Sequence, residues 1–320
     1  MDSDADRPRN QANSGVSRFG LLSGIGAYTL WGFAALYWPL AEPASALEIL
    51  AHRVVWTLVV CLILVPVVKA WPDVKRAFAT PRLLGLMALA ALLISLNWGT
   101  FIWAVIHNEA LQASLGYFIN PIISVMLGVL IFGERMRPAQ WLAAGIGSLA
   151  MVILVLGFGG VPWVSLILAV SFGLYGLVKK RADLDAIPSL TVESALSFPL
   201  AAGYLLWLAA SGTLAFGTSP AQTAVLMGAG LVTAVPLLLF GAAAVRLPLS
   251  TLGILQYIGP VIQFLVALLI FGETMTWQRW TGFVLIWIAL IVFTLDLTRN
   301  VRSARPERPG AWDEELDWPT

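Results

Sequence analysis

Long apolar runs separated by short polar segments dominate the chain between residues 19 and 296. Most runs contain about 20 predominantly apolar residues, which is the length that an α-helix needs to cross the hydrocarbon core of a bilayer. The runs are continuous, whereas membrane-spanning strands alternate apolar and polar positions. The pattern predicts ten transmembrane helices, at residues 19–40, 49–68, 84–106, 110–133, 139–157, 160–178, 189–210, 222–245, 249–272 and 278–296.

Composition and charge support the same fold class. The sequence is 59% hydrophobic and 12% charged, whereas a typical soluble domain is about 45–50% apolar and about 25% charged. Only 21 of its 37 acidic and basic residues fall within residues 19–295, which is too few to cover the core of a soluble fold. We therefore expect an all-α polytopic membrane protein. An ordinary soluble enzyme, a nucleic-acid-binding protein and a disordered chain are excluded.

The distribution of lysine and arginine predicts the orientation. With the N-terminus in the cytoplasm, 17 of the 19 basic residues fall in cytoplasmic segments, and only Arg53 and Arg279 fall on the outer side. This is the bias that the positive-inside rule describes. It predicts an even number of spans with both termini in the cytoplasm, where residues 1–18 and 297–320 are expected to form disordered tails.

An internal repeat with an offset of 139 residues relates the two halves of the chain. Residues 118–141 and 257–280 align without gaps and are identical at ten of 24 positions. Each predicted unit, 19–157 and 158–296, holds five helices, so the two units must have opposite orientations in the membrane. Inverted repeats are typical of secondary transporters, whose substrate site lies between the repeats near the midplane.

Seven segments of the chain are long and specific enough in sequence to indicate a protein family. They are EILAHRVVW (48–56), NWGTFIWAV (97–105), ASLGYFINP (113–121), FGERMRPAQWLA (132–143), SFGLYGLVKK (171–180), STLGILQYIGP (250–260) and FGE (271–273). They resemble the EamA-type members of the drug/metabolite transporter superfamily, and in particular the RarD subfamily. The resemblance implies a ten-helix bundle of two inverted five-helix units in the plasma (inner) membrane. It also implies export or exchange of small molecules, with a link to chloramphenicol, and it does not supply the substrate.

Charged residues at the starts of two predicted helices are candidates for gating or coupling. Glu48 and His52 share a helix face, with Arg53 beside them. This cluster could attract an anionic or dipolar substrate, or its side chains could extend to the lipid headgroups. Glu193 is a candidate for proton exchange, because burial disfavours its charged form. The alternative is a first-turn acid that the helix dipole stabilises.

Polar side chains within the predicted helices are candidates for a substrate cavity. Asn97 is expected at mid-membrane depth, where its amide needs a partner from another helix or from the substrate. Asn120 precedes Pro121, and Gln256 lies four residues before Pro260, so proline frees a carbonyl beside a polar side chain at both places. Such kinks line a cavity or are purely structural. The other predicted cavity residues are Trp31, Trp98, Trp103, Tyr117, Tyr175, Tyr257 and Gln263, and Pro236 is a third predicted kink.

Two repeated features have structural interpretations. Glu134 and Glu273 follow a glycine at equivalent helix ends, which is typical of an acid that caps a neighbouring helix. Gly20 and Gly24 have the spacing of closely packed membrane helices, and this spacing leaves a homodimer open.

The sequence contains no motif for a membrane-embedded enzyme or an ATPase. Its two histidines lie near predicted helix ends, and neither a zinc motif nor a P-loop is present. We therefore expect no catalytic centre, metal or cofactor, and as partners a small-molecule substrate, the lipid bilayer and protons as a candidate coupling ion. A passive channel is disfavoured because no span carries a ring of charges. Two hypotheses remain: a secondary exporter of a small amphipathic metabolite or drug, and an uptake or bidirectional facilitator for a metabolite such as an amino acid.

Overall fold

The computed structural model describes residues 17–132, 138–244, 246–247 and 249–303, and these fold into helices with no strand among them. A 3₁₀ turn, Trp38–Ala41, continues the first helix. The twelve α-helices of the described residues are α1 (Arg18–Tyr37), α2 (Ala46–Val67), α3 (Trp71–Ala79), α4 (Pro81–Ile106), α5 (Ala110–Phe132), α6 (Pro138–Phe158), α7 (Trp163–Ala182), α8 (Ala186–Ser211), α9 (Pro220–Ala244), α10 (Leu249–Leu255), α11 (Ile258–Leu269) and α12 (Trp277–Ser303).

The helices have the lengths and the apolar exteriors of membrane spans. Among the described residues, seven are long and apolar enough to cross a bilayer, while the apolar parts of α7 and α11 are shorter. Large apolar side chains on the outside of the bundle are strongly exposed, such as Leu200 (81%) and Val67 (72%). Exposed apolar groups of this size suit contact with lipid rather than water. The chain is therefore a multi-pass membrane protein.

The ninth predicted span, 249–272, differs from the structure, because it is broken into α10 and α11. The amide of Tyr257 donates to the carbonyl of Ile254 (3.2 Å), which is a tighter turn than the α-helix allows. The break follows from Pro260, which has no N–H to pair with the carbonyl of Gln256. The predicted proline effect is thus present, and it interrupts the helix.

The connection between the second and third predicted spans contains a helix, α3, that the hydropathy pattern did not predict. Its nine residues are too short to cross a membrane. Val74 and Ala77 are buried against the bundle, whereas Lys75 and Arg76 are exposed. The helix is amphipathic and packs against α4 and α8.

Helices of the first half (α1–α6) pack mainly against helices of the second half (α7–α12). The main pairs are α2 with α8 and α9, α4 and α5 with α7, α1 with α9 and α11, and α6 with α12. Two helix backbones approach each other at Gly230 of α9, where a β-carbon would lie 2.5 Å from the carbonyl oxygen of Trp56 in α2. Only glycine allows these two helix backbones to touch.

The predicted small-residue motif at the start of α1 is used within the chain. A β-carbon on Gly20 would lie 2.9 Å from Cβ of Arg246, and one on Gly24 would lie 2.8 Å from a methyl group of Leu255. These glycines therefore pack α1 onto the second half of the same molecule. A homodimer gains no support from this motif.

Candidate functional site

Buried and half-buried polar side chains extend from the first half of the bundle into the second. They lie on α2, α4 and α5 of the first half and on α7 and α8 of the second. We call this set the polar track, and its members are Arg53, Asn97, Tyr117, Ser171, Tyr175, Lys179, Ser189 and Glu193. Polar groups are costly inside a membrane protein and mark substrate or ion pathways.

Arg53 lies two turns into α2, which begins after the cap at Ser45. Its side chain is buried, with 6% of the residue exposed. The guanidinium carbon is 3.9 Å from the ring centroid of Trp98 on α4 and 5.0 Å from that of Trp38, the first residue of the 3₁₀ turn. Cation–π contacts of this kind compensate part of the cost of burying the charge. In the described part of the chain, no carboxylate forms an ion pair with Arg53.

Asn97 connects three helices at the centre of the polar track. Its amide nitrogen donates to the carbonyl of Leu168 (3.0 Å) and to the hydroxyl of Ser171 (3.0 Å), both on α7. The hydroxyl of Tyr117 on α5 donates to its amide oxygen (3.0 Å). Of the two partners predicted for this amide, a helix or a substrate, the structure supplies the helix. Its 1% exposure leaves the side chain no open face.

Glu193 accepts hydrogen bonds from three side chains. Lys179 donates to Oε1 (2.8 Å), Ser189 also donates to Oε1 (2.8 Å), and Tyr175 donates to Oε2 (3.0 Å). Lys179 also contacts the hydroxyl of Ser189. Glu193 is 2% exposed, and the Lys179 side chain is 23% exposed, so this is a mostly buried ion pair between α7 and α8.

Sequence reasoning missed Lys179 as part of this group, because it assigned the residue to the loop after the predicted span at 160–178. The helix α7 continues to Ala182 and holds Lys179 against α8. The spacing of the polar residues could have indicated this group. Tyr175 and Lys179 are four residues apart, and so are Ser189 and Glu193, which places each pair on one helix face.

Glu48 and His52 lie beside the connection between α8 and α9, residues 212–219. The amide of Ala215 donates to Oε1 of Glu48 (2.7 Å). The ring of Phe216 stacks on His52 with 4.8 Å between centroids. The predicted shared face of Glu48 and His52 is thus confirmed, and it is covered by this connection.

The remaining predicted residues lie outside the polar track, apart from Trp98, which contacts Arg53. Gln263 donates to the carbonyl of Trp31 (3.4 Å) between α11 and α1. Trp103 packs on Trp163 with 4.8 Å between centroids. The predicted aromatic wall is therefore distributed over several places. Of the other predicted residues, Asn120 has a buried amide oxygen to which no described residue donates a hydrogen bond. Gln256 lies at the break between α10 and α11, and Pro121 and Pro236 lie inside α5 and α9.

Tyr257 lines an apolar cavity of about 300 Å³ between α5, α11 and α12. Phe118, Val261 and Trp287 form part of its wall, and Thr294 is its other residue with a polar side chain. The cavity shares the helix α5 with the polar track but none of its residues.

Glu273, in the connection between α11 and α12, caps the start of α5. One carboxylate oxygen accepts from the amide of Ala110 (2.6 Å), and the other accepts from that of Leu111 (3.1 Å). Such caps satisfy amides that a helix start leaves free. The predicted capping role is confirmed for Glu273, while its repeat partner Glu134 lies outside the described residues.

Burial raises the pKa of Glu273 from 4.5 to about 7, although the two amides and Arg279 act in the opposite direction and Glu109 adds to the rise. A raised pKa in the folded state contributes stability that is complete below about pH 4.5 and is lost as the pH rises through about 7. We expect the melting temperature of the wild type to fall between pH 5 and pH 8 relative to that of Glu273→Gln, which stays neutral. Thermal unfolding in detergent across this range measures the difference.

The exposed Glu42 provides the control for this prediction. Glu42→Gln should leave the pH dependence of the wild type in place. Parallel pH profiles for the wild type and Glu273→Gln would contradict the assignment.

Comparison with known proteins gives the family. The model of the EamA-like transporter family matches twice, at residues 18–156 and 159–295. The chain is 49% identical over 295 residues to "Protein RarD" of Streptomyces exfoliatus, covering 92% of this chain and 94% of the relative. It is 34% identical over 295 residues to "Chloramphenicol-sensitive protein RarD" of Pseudomonas aeruginosa, covering 90% and 97%.

A solved crystal structure shares the fold, with a TM-score of 0.58 at 19% identity, and the match covers 88% of this chain and 98% of the other. The family match, the RarD relatives and the apolar helices agree with one another. The chain belongs to the EamA-like transporter family and is a homologue of the RarD proteins.

Proposed function

We propose that this protein is a secondary transporter that moves a small amphipathic metabolite or drug across the inner membrane by alternating access. The observation that carries the proposal is the polar track, whose hydrogen bonds join α4 of the first half to α7 of the second and continue from α7 to α8. A site between two halves can be exposed to either side in turn when one half rocks against the other.

The proposal includes ten spans in two inverted units, residues 19–157 and 158–296. The packing of the helices supports it. In chain order, α1, α4 and α5 of the first unit are equivalent to α7, α9 and α11 of the second. The contact of α1 with α9 therefore corresponds to that of α7 with α4, and the contact of α1 with α11 corresponds to that of α7 with α5. The pairs α2–α8 and α6–α12 correspond to themselves. The double match of the family model agrees with the same division.

The proposed orientation places both termini in the cytoplasm, as the distribution of basic residues favours. In this orientation, the Lys179–Glu193 pair lies toward the cytoplasmic side, and Glu48 with the connection at residues 212–219 lies toward the outer side. The Glu48 contact joins α2 of the first half to this connection of the second half. The Lys179–Glu193 pair joins the end of α7 to α8 within the second half, and Ser189 beside it contacts Met87 on α4 of the first half. We propose that they are the contacts that open alternately. Proton exchange at Glu193 is part of the proposal and couples export to the proton gradient.

The test is a flux measurement in proteoliposomes with radiolabelled chloramphenicol, which the name of the Pseudomonas aeruginosa relative makes the first probe. We expect flux that rises when a pH gradient is imposed and that differs between the two orientations of the protein, as export requires. Flux that ignores the gradient, together with a fully active Glu193→Gln, would exclude proton coupling and leave a facilitator. An absence of flux for chloramphenicol and for a panel of amphipathic metabolites would contradict the transport proposal.

Asn97→Leu should lower the flux at least tenfold, because it removes all three hydrogen bonds that join α4 to α5 and α7. Ser171→Ala removes one of these bonds and should have a smaller effect. Ser211→Ala, at the exposed end of α8, is the control and should transport like the wild type. The amount of folded protein is measured by size exclusion for every variant, so that loss of flux is not confused with loss of protein.

A further inference from the structure

Arg53 and four residues of the same region carry buried polar atoms that have no hydrogen-bond partner among the described residues. They are Trp38, His52, Arg53, Trp56 and Thr57. Trp38 begins the 3₁₀ turn, and the other four lie within two turns of α2. Buried polar groups are nearly always paired in native structures, so a group of unpaired ones calls for an explanation.

Most of these atoms are donors. The indole nitrogens of Trp38 and Trp56 and Nε of Arg53 can only donate, and the imidazole and hydroxyl groups can donate as well. The missing partner is therefore rich in acceptors. Arg53 adds a full positive charge that is 6% exposed and lies over the face of Trp98, so the missing partner is also negative.

The acceptors of the neighbouring polar residues are already engaged. The amide oxygen of Asn97 accepts from Tyr117, and the carboxylate of Glu193 accepts from Lys179. The carboxylate of Glu48 accepts from the amide of Ala215. Within the described residues, no carboxylate forms an ion pair with Arg53.

We propose that Arg53 binds the carboxylate group of a small organic acid or amino acid that the protein transports. This proposal rests on the proposed transport function and names its substrate class. A planar carboxylate matches the guanidinium in two parallel hydrogen bonds. One positive charge compensates one negative charge, which favours a monocarboxylate over a phosphate dianion in a buried site. The guanidinium lies over the rings of Trp38 and Trp98, and its Nε has no hydrogen-bond partner among the described residues.

The experiment measures ligand-induced stabilisation of the purified full chain in detergent. The probes are sodium benzoate, its neutral analogue benzamide, sodium acetate and inorganic phosphate. We expect at least one of the two carboxylates to raise the melting temperature with saturation, and benzamide and phosphate to have no effect. Arg53→Leu should weaken the carboxylate response at least tenfold, and Arg53→Lys should weaken it less. Arg246→Leu, an exposed arginine outside the polar track, should respond like the wild type.

Several results would overturn the assignment. These are equal responses to benzoate and benzamide, a stronger response to phosphate, no response to either carboxylate, or an unchanged response in Arg53→Leu. If Arg53→Leu does not fold, the comparison of wild type with Arg53→Lys decides, and equal affinities then contradict the proposal. Binding that depends on Arg53 without any flux would refute transport and leave the site intact, whereas undiminished carboxylate flux in Arg53→Leu would refute the site and leave transport intact.

Discussion

Gly230→Ala is expected to lower the melting temperature of the protein by several degrees. The added β-carbon would lie 2.5 Å from the carbonyl oxygen and 2.6 Å from the carbonyl carbon of Trp56. Both atoms belong to the backbone of α2, so no side-chain rotation relieves the contact and the two helices must separate. Overpacking of this kind typically costs about 1–3 kcal/mol. The higher helix propensity of alanine, about 1 kcal/mol over glycine, offsets only part of this cost.

Gly241 in the same helix is the matched control, since a β-carbon there meets nothing within 4 Å. Gly241→Ala should leave the melting temperature unchanged or raise it, because only the propensity changes. Thermal unfolding of the two variants in detergent, beside the wild type, measures shifts of opposite sign. Two increases of similar size would show that α2 and α9 do not approach each other at Gly230.

Lys179→Met is expected to destabilise the protein more than any other change along the polar track. It removes the cation from a carboxylate that is 2% exposed. Loss of one partner of a buried pair costs about 3–5 kcal/mol, and we expect the lower end of this range because the Lys179 side chain is 23% exposed. Adding Glu193→Gln should recover much of the loss, since Ser189 and Tyr175 can still pair with the amide.

The measurement is a double-mutant cycle on unfolding midpoints for the wild type, both single variants and the double variant. Lys75→Met, an exposed lysine on α3, is the control and should change little, as expected for a surface charge. If the effects of Lys179→Met and Glu193→Gln simply add, the two side chains do not interact.

Much of the helical fold could be predicted from the sequence, because the length of an apolar run reflects the thickness of the bilayer. The runs locate most of the long helices to within a few residues. The nine-residue helix α3 escaped this reasoning, since its signal is amphipathic and not apolar. The split of the predicted span at 249–272 could be inferred only in part. Pro260 predicts a kink or a break in the helix, and which of the two forms depends on how the helix packs.

The sequence predicted which residues belong to the candidate site, but not which side chains contact one another there. Polar residues within apolar runs stand out, which identified Arg53, Asn97 and Glu193. Their partners did not stand out, because contacts such as that between Glu193 and Lys179 depend on how far a helix continues past its apolar run. The unpaired donors around Arg53 emerge only from the three-dimensional packing, since tryptophan and threonine are common in membrane helices and carry no signal alone.

The connections after α2 and after α8 occupy equivalent positions in the two halves, but their structures differ. In the first half, the connection after α2 forms the helix α3, whose outer face is exposed. In the second half, the connection at residues 212–219 turns inward and covers Glu48 and His52. In the proposed orientation, an ion pair within the second half lies toward one membrane face, and a hydrogen bond and a ring stack between the halves lie toward the other. A chain assembled from two related halves thereby acquires a sidedness that duplication alone does not provide.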